Sequence, residues 1–158
     1  MPFTANEAAY LASQSLARLA TVDGRGQPHV VPLGFHYNAG LGTVDVTGRG
    51  MARSLKYRHV QAHPRVSLVV DDVVDAERWV VRGIEIRGTA VALPRGGKEI
   101  LPHVDDELIR ITPERIVSWG IDSDCQAPPL ARNVGKIGNS GNSGNSGNSG
   151  NVGNGVRA

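Results

Sequence analysis

The sequence has one cysteine, few aromatic residues and no long apolar run. The lone cysteine, Cys125, excludes an intramolecular disulfide and any zinc or iron–sulfur site built from several cysteines. No stretch approaches about 18 uninterrupted apolar residues. The N-terminus lacks the positive region and apolar core of a secretory signal. We therefore expect a cytoplasmic protein in a reducing compartment, with no membrane partner.

Several motifs of familiar enzyme classes are also missing. No GxxxxGK[ST] occurs, which leaves a nucleoside triphosphatase unsupported, and Gly48-Arg49-Gly50 begins a GxGxxG pattern but the third glycine is absent. Ser118 lies in no GxSxG elbow, so nucleophilic hydrolysis has no support. His59 and His63 have the spacing of metal ligands on a helix, but without a third ligand we interpret them as two solvated histidines and expect no metal.

Charge and glycine are distributed unevenly along the 158 residues, which provide for one domain. Residues 1–125 contain 14 Lys and Arg against 15 Asp and Glu, whereas Arg132, Lys136 and Arg157 face no acid in their own stretch. The pI near 9.0 therefore owes much to the C-terminus, and without interleaved aromatics we expect no nucleic-acid partner. We expect an ordered domain over residues 1–125 and a disordered Gly/Asn/Ser-rich tail over residues 126–158.

Patterning predicts one helix, then strands, with a second helix inserted among them. Thr4-Ala5-Asn6-Glu7 fits a capping box, which starts a helix over residues 5–13 with Tyr10 and Leu11 facing the core. Pro32 places its strand at a sheet edge or a bulge. A mainly β fold of six or seven mostly antiparallel strands, a small barrel with flanking helices, hides most strand edges. The predicted strands are 16–22, 28–37, 43–47, 66–71, 79–93, 108–112 and 115–121, and the second helix is 51–62.

The most asymmetric part of the chain is residues 47–65, which we call the basic segment because it contains five Lys and Arg and no acid. Gly48 and Gly50 before a helix let backbone N–H groups approach an anion, and the helix dipole adds positive charge there. On one continuous helix Arg53 and Lys56 share a face, with Ser54 available as a hydroxyl donor. The basic segment therefore predicts a phosphate-binding site, although a solvated basic helix face has the same pattern.

Five runs follow one another in the order LARLATVDGRGQPHVVPLGFHYN, GTVDVTG, RSLKYRHVQAHPRVSLVVDD, RGIEIRGTA and IRITPERIVSWGI. In this order they resemble the pyridoxamine 5′-phosphate oxidase-like superfamily, and more narrowly its branch of oxidoreductases that depend on the deazaflavin coenzyme F-420. The similarity covers residues 3–122. It implies a split β-barrel that binds a flavin or deazaflavin at the interface of a homodimer.

The resemblance also implies site residues. Lys56 and Arg58 match the family's phosphate-holding positions, residues 31–34 with Thr47 and Gly48 would line the cofactor ring, and Trp79 would come from the partner subunit. No catalytic side chain is implied, although His36, Tyr37 and Tyr57 are candidate proton donors. With the basic segment included, the predicted cofactor-binding residues are Val31, Pro32, Leu33, Gly34, Thr47, Gly48, Arg53, Ser54, Lys56, Arg58 and Trp79.

Three functions stay open at this stage. The first is a reductase that uses reduced coenzyme F-420 to transfer a hydride to a small unsaturated acceptor such as an enone or quinone. The second is an FMN-containing oxidase or reductase of the same superfamily. The third is a non-catalytic flavin- or deazaflavin-binding protein. Pyridoxamine phosphate oxidation is not expected, because the C-terminus dissolves into GNS repeats.

Overall fold

The computed structural model describes residues 1–135 as a mainly β protein with short helices. Three neighbouring strands at the centre of the sheet have 11 to 14 residues, and the other strands have three to six. The helices are α1 (Ala5–Ser13), α2 (Leu55–Ala62) and α3 (Gly97–Ile100), with a 3₁₀ turn at Met51–Arg53. The strands are β1 (Ala17–Val22), β2 (Pro28–Leu33), β3 (His36–Asn38), β4 (Thr43–Val46), β5 (Arg65–Asp75), β6 (Val80–Leu93), β7 (Leu108–Trp119) and β8 (Leu130–Asn133).

The strands form one antiparallel sheet in the order β2-β1-β5-β6-β7-β4-β3. Strand β8 pairs with the C-terminal part of β7, residues 115–118. The two ends of this path, β2 and β3, are neighbours in the chain, separated by Gly34 and Phe35. The sheet therefore curls into a partly closed barrel, as the strand-rich pattern predicted. The predicted fold class, a split β-barrel with flanking helices, is confirmed.

The core lies inside the curl of the sheet. Alternate residues of the central strands point inward and are fully buried, including Leu68, Ile86 and Ile116. Tyr10 and Leu11 of α1 add to this core, as predicted. Full burial of each large apolar side chain contributes roughly 1.5 to 3 kcal/mol, so this cluster is the main source of stability.

Two predictions made from local pattern hold closely. Helix α1 has the predicted bounds, and its capping box is formed, with Thr4 Oγ1 accepting from the Glu7 N–H and Glu7 accepting from the Thr4 N–H. Strand β2, which contains Pro32, lies at an edge of the sheet. A proline is tolerated there because an edge strand leaves one row of backbone groups without a ladder partner.

Two other predicted boundaries are wrong. The helix predicted over residues 51–62 is broken at Ser54, whose extended backbone ends the 3₁₀ turn and caps α2. The two strands predicted on either side of Pro113 are one strand, β7. Its register with β6 shifts so that Gly88 faces Pro113 and Arg87 faces Arg115, which leaves Glu114 as an extra residue in a bulge. Bulges accommodate proline within a continuous strand.

The C-terminal boundary of the ordered domain also needs correction. Strand β8 pairs with β7 between Leu130 and Asn133, so the described fold extends beyond residue 125. Arg132 is no solvated tail charge, because its guanidinium bonds the buried carboxylate of Glu7. The remaining residues of the predicted tail, 136–158, lie outside the described part of the chain.

Two further findings concern the described residues alone. Between residues 1 and 135 no helix is long and apolar enough to cross a membrane. In the same range, no group of three or more His, Cys, Asp or Glu side chains has an arrangement that would hold a metal ion.

Candidate functional site

A cavity of about 280 Å³ opens where the start of α2 meets β1 and β2. Val31 and Pro32 form its strand side, and Leu55 and Lys56 form its helix side. We call this cavity the Lys56 pocket. Its lining residues are Thr21, His29, Val31, Pro32, Leu55, Lys56 and His59.

Ser54 determines how α2 begins beside this pocket. Its hydroxyl accepts from the Tyr57 N–H at 3.3 Å and donates to the Met51 carbonyl at 2.7 Å, so it is used within the chain as an N-cap. The first N–H groups of the helix, those of Leu55 and Lys56, have no carbonyl partner four residues earlier inside the helix. Helix α2 therefore presents its positive end and the Lys56 ammonium to the same cavity.

Two histidines form the inner part of the Lys56 pocket. His59 is only 8% exposed, and its Nδ1 lies 2.9 Å from Thr21 Oγ1. The His29 ring meets the His59 ring edge to face, with 4.7 Å between centroids, and His29 Nε2 lies 3.4 Å from an Asp23 carboxylate oxygen. The interpretation of His59 as a solvated histidine is therefore wrong. Helical spacing alone does not tell which face of α2 packs onto β1.

A second cavity of about 360 Å³ lies farther along the same chain segment, where the turn after β2 meets the end of β4. We call it the His36 pocket. Its polar lining residues are Gln14, Ser15, His36 and Thr47, together with Gly34. Its apolar lining residues, which we call the apolar wall, are Phe35, Ile100, Leu101 and Val104.

The glycine-containing turn before the 3₁₀ segment binds a carboxylate from a distant part of the chain. The Met51 N–H, at the start of that turn, donates to the Asp105 carboxylate at 3.0 Å. The Asp105 N–H in turn donates to the Gly48 carbonyl at 3.1 Å. A backbone N–H that was expected to bind a phosphate, that of Met51, is thus already hydrogen-bonded within the protein. The helix start whose N–H groups remain available to an anion is that of α2.

The structure brings five of the predicted site residues to the two pockets. Val31, Pro32 and Lys56 line the Lys56 pocket, and Gly34 and Thr47 line the His36 pocket. Leu33 packs against the core instead, and Gly48 lies beside Asp105.

The other predicted residues lie outside both linings. Arg53 and Arg58 are exposed, and Arg58 is two positions from Lys56, which places it on a different face of α2. Trp79 is 66% exposed in the turn between β5 and β6, where its φ of 53° lies in the left-handed region. Its assignment to a partner's site stays a prediction.

Sequence reasoning missed several lining residues. Thr21 and Leu55 are ordinary in a strand and in a helix, and nothing in their pattern singles them out. Ile100, Leu101 and Val104 did carry a signal, because they are apolar residues within an otherwise polar connection. Such residues either pack against the core or form a pocket wall, and only the fold decides between these uses.

The whole barrel matches a known family. Residues 3–120 match the family described as pyridoxamine 5′-phosphate oxidase. The chain belongs to this family. Because the match spans nearly all of the described residues, both pockets lie within the pyridoxamine 5′-phosphate oxidase domain.

The sequence is similar to that of an enzyme, the 5a,11a-dehydrotetracycline/5a,11a-dehydrooxytetracycline reductase of Streptomyces rimosus. This chain is 50% identical to it over 134 residues, which cover 85% of this chain and 94% of the reductase. Together, the reductase and the family support an oxidoreductase.

Solved structures share the fold at low sequence identity. A conserved hypothetical protein from Mycobacterium tuberculosis is 19% identical, with a TM-score of 0.61, over 87% of this chain and 94% of its own. A FAD-binding protein from Mesorhizobium loti is 22% identical, with a TM-score of 0.55, over 73% of this chain and 93% of its own. These likenesses place the pyridoxamine 5′-phosphate oxidase domain described here among proteins with the same barrel.

Proposed function

We propose that the protein is a reductase that uses reduced coenzyme F-420 to reduce a conjugated C=C bond in a planar polycyclic acceptor. The observation that carries the proposal is the 50% identity to a reductase named for 5a,11a-dehydrotetracycline, which extends over 94% of that enzyme. An identity of this size across the whole barrel supports a related substrate. The earlier resemblance to deazaflavin-dependent oxidoreductases supports the choice of cofactor.

The Lys56 pocket fits the phosphate of a flavin or deazaflavin. Lys56 and the N-terminus of α2 meet there, and two imidazole side chains, those of His29 and His59, lie beside them. Phosphate is bound well by such a combination of a charged donor and helix N–H groups. The exposed backbone of β2 then provides an edge along which the rest of the cofactor extends toward Gly34 and Thr47.

A bound, reduced deazaflavin supplies a hydride. The residues of this chain do the rest of the work. Lys56 would hold the anionic end of the cofactor, and residues 31–34 would align its ring along the edge strand. Orientation of two bound reactants and exclusion of water are the main contributions that a protein makes to such a transfer.

The proposed cofactor-binding unit is a homodimer. Strand β2 ends the sheet with Val30 at 64% exposure and Val31 at 39%, so an apolar edge lies open to a second copy. The exposed Trp79 is the residue proposed to reach the partner's site. Sedimentation velocity of the purified protein checks this assembly, since a monomer at micromolar concentration would contradict it.

The experiment that tests the proposed function is a pair of fluorescence titrations of salt-washed protein, one with oxidised coenzyme F-420 and one with FMN. We expect micromolar or tighter affinity for F-420, and turnover of 5a,11a-dehydrotetracycline with the reduced coenzyme. Preference for FMN would instead support an FMN-containing oxidase or reductase of the same superfamily. Tight binding without turnover of any unsaturated acceptor would leave a cofactor-binding protein, and binding of neither cofactor would overturn the proposal.

A further inference from the structure

The lining of the His36 pocket combines two kinds of residue. Phe35, Ile100, Leu101 and Val104 are apolar, whereas Gln14, Ser15, His36 and Thr47 are polar. A volume of about 360 Å³ is in the range of small-molecule sites, which are mostly apolar with a few orienting polar groups. This lining suits a largely apolar molecule that carries several oxygen atoms.

The two pockets are placed in sequence along one stretch of chain. Pro32 lines the Lys56 pocket and Gly34 lines the His36 pocket, and two extended residues span roughly 7 Å. A cofactor held by its phosphate at Lys56 and extended along β2 would therefore bring its ring to Gly34. The space beyond Gly34 is the His36 pocket, which leaves it for the acceptor.

Three side chains near this region carry an acidic proton suited to catalysis, and the structure separates them. The hydroxyl of Tyr57 is committed, because it donates to the Leu93 carbonyl at 3.1 Å, and burial raises the pKa of Tyr57. Tyr37 packs edge to face against Phe3 at 5.2 Å and lines neither pocket. His36 is the candidate whose side chain faces a cavity.

The charged groups on the strands beside His36 are already paired with each other. Asp45 of β4 is in register with His36, and Arg110 of β7 is in register with Asp45. Asp45 is fully buried, and both of its oxygens accept from Arg110, at 2.7 and 2.8 Å. Arg110 therefore balances the Asp45 carboxylate, and within residues 1–135 no carboxylate lies within ion-pair distance of His36.

We propose that the His36 pocket receives the acceptor and that His36 donates the proton that completes its reduction. This inference rests on the proposed function. Reduction of a C=C bond conjugated to a carbonyl consumes one hydride and one proton. A bound, reduced deazaflavin would supply the hydride to the β-carbon, and the electrons of the C=C bond would then move onto the carbonyl to give an enolate. The imidazolium N–H of His36 then gives its proton to the α-carbon, and the neutral imidazole takes a proton from water.

The acceptor class follows from the same lining. The ring system would pack against the apolar lining residues Ile100, Leu101 and Val104. Its keto and hydroxyl oxygens would meet Gln14 and Ser15. A fused polyketide enone meets both requirements, whereas a short aliphatic enone would leave the apolar wall uncovered.

The test compares His36→Gln with His103→Gln, an exposed histidine on the connection that carries the apolar wall. General acid catalysis contributes about 100- to 10,000-fold. We expect His36→Gln to lower kcat at least about 100-fold and to leave KM and cofactor affinity within about twofold. His103→Gln should behave as the wild type. Wild-type kcat in His36→Gln would overturn the assignment.

A second readout needs no cofactor. Tetracycline is added to cofactor-free protein labelled with ¹⁵N at histidine, and the imidazole signals absent from His36→Gln are followed by NMR. We expect the His36 signals to shift, and the shift to disappear in Leu101→Arg, which fills the pocket from an exposed position. Shifts at His29 and His59 instead, or at no histidine, would overturn the pocket assignment.

These outcomes separate the inference from the proposed function. Failure of the wild type to bind either F-420 or FMN removes the proposed function and, with it, the proton transfer assigned here. If the wild type binds the cofactor and turns over the acceptor, and His36→Gln keeps the wild-type kcat, the inference alone is removed.

Discussion

Three arginines of the sheet and two cations of helix α2 are held in opposite ways. Arg132, Arg110 and Arg82 each meet a carboxylate from another element, namely Glu7, Asp45 and Asp72. Within residues 1–135, no carboxylate lies within ion-pair distance of Lys56 or Arg58. A cation paired inside the protein contributes to stability, whereas a cation that faces a cavity is available to a bound anion.

The two helix starts in the basic segment show the same contrast at the backbone. The 3₁₀ turn at Met51–Arg53 receives its anion from Asp105, so its N–H group is satisfied within the chain. Helix α2 begins four residues later with an uncharged cap, Ser54, beside the Lys56 pocket. Two helix starts only four residues apart thus differ in use: one is satisfied within the protein, and the other is a candidate ligand site.

The largest expected effect comes from breaking a paired cation. Arg132→Ala leaves the fully buried Glu7 carboxylate without its guanidinium, and it also frees the Pro2 carbonyl that Arg132 binds at 2.7 Å. We expect the free energy of unfolding to fall by about 3 kcal/mol, the lower end for buried pairs, because the arginine is 35% exposed. Urea denaturation at pH 7 measures this loss. Arg115→Ala, which removes an exposed contact to Asn133, should cost much less.

Arg132→Ala should also reverse how the stability contribution of Glu7 depends on pH. Burial alone would raise the pKa of Glu7, but bonds from Arg132, the Thr4 N–H and Ser118 hold this pKa below its ordinary value. The ionised Glu7 therefore stabilises the wild type above about pH 4.5 and this stabilisation is lost as the pH falls further. Without Arg132, burial should dominate and raise the pKa, so the deficit of the variant should shrink as the pH is lowered from 7 to 5. A deficit that is constant over this range would contradict the account.

Breaking the cavity-facing cation should affect binding and spare the fold. Lys56→Ala removes a charge-assisted phosphate contact worth about 1.5 to 3 kcal/mol, so we expect cofactor affinity to fall about tenfold or more. Arg58→Ala, on another face of α2, is the matched control and should change affinity less than twofold. Titration with F-420 or FMN measures both, and thermal melting checks that neither variant unfolds. Equal effects of the two variants would show that general positive charge, and no specific pocket, binds the cofactor.

Most of the fold followed from local pattern, because hydrophobic alternation and caps are local signals. The capping box at Thr4 and the edge position of Pro32 were predictable from neighbouring residues. The merged strand β7 was not, since its continuity past Pro113 depends on a bulge opposite Gly88. A Cβ at Gly88 would lie 2.0 Å from the Thr112 carbonyl oxygen, a contact between strands that a single segment does not reveal.

The site was predictable in its chemistry more than in its residues. An acid-free run of cations predicted a phosphate-binding site, and Lys56 of that run lines a cavity. The pairing of Asp105 with Met51, 54 residues apart in sequence, could not be inferred from spacing. For the same reason, Arg132 looked like an unpaired tail charge until the sheet brought it to Glu7, 125 residues away. Long-range partners decide which cations remain available, and one sequence does not list them.

The smallest expected effect sharpens the comparison between the two helix starts. Ser54→Asp keeps an N-cap side chain but adds an acid at the start of α2, as Asp105 does for the 3₁₀ turn. Aspartate caps as well as serine does, so thermal stability should be unchanged or slightly higher. The new carboxylate should compete with the cofactor phosphate for the helix end, at a cost of about 1 kcal/mol, or about fivefold in affinity. Ser54→Asn, an equally good cap without charge, should retain wild-type affinity. If Ser54→Asp binds cofactor as tightly as Ser54→Asn does, the start of α2 is not where the phosphate sits.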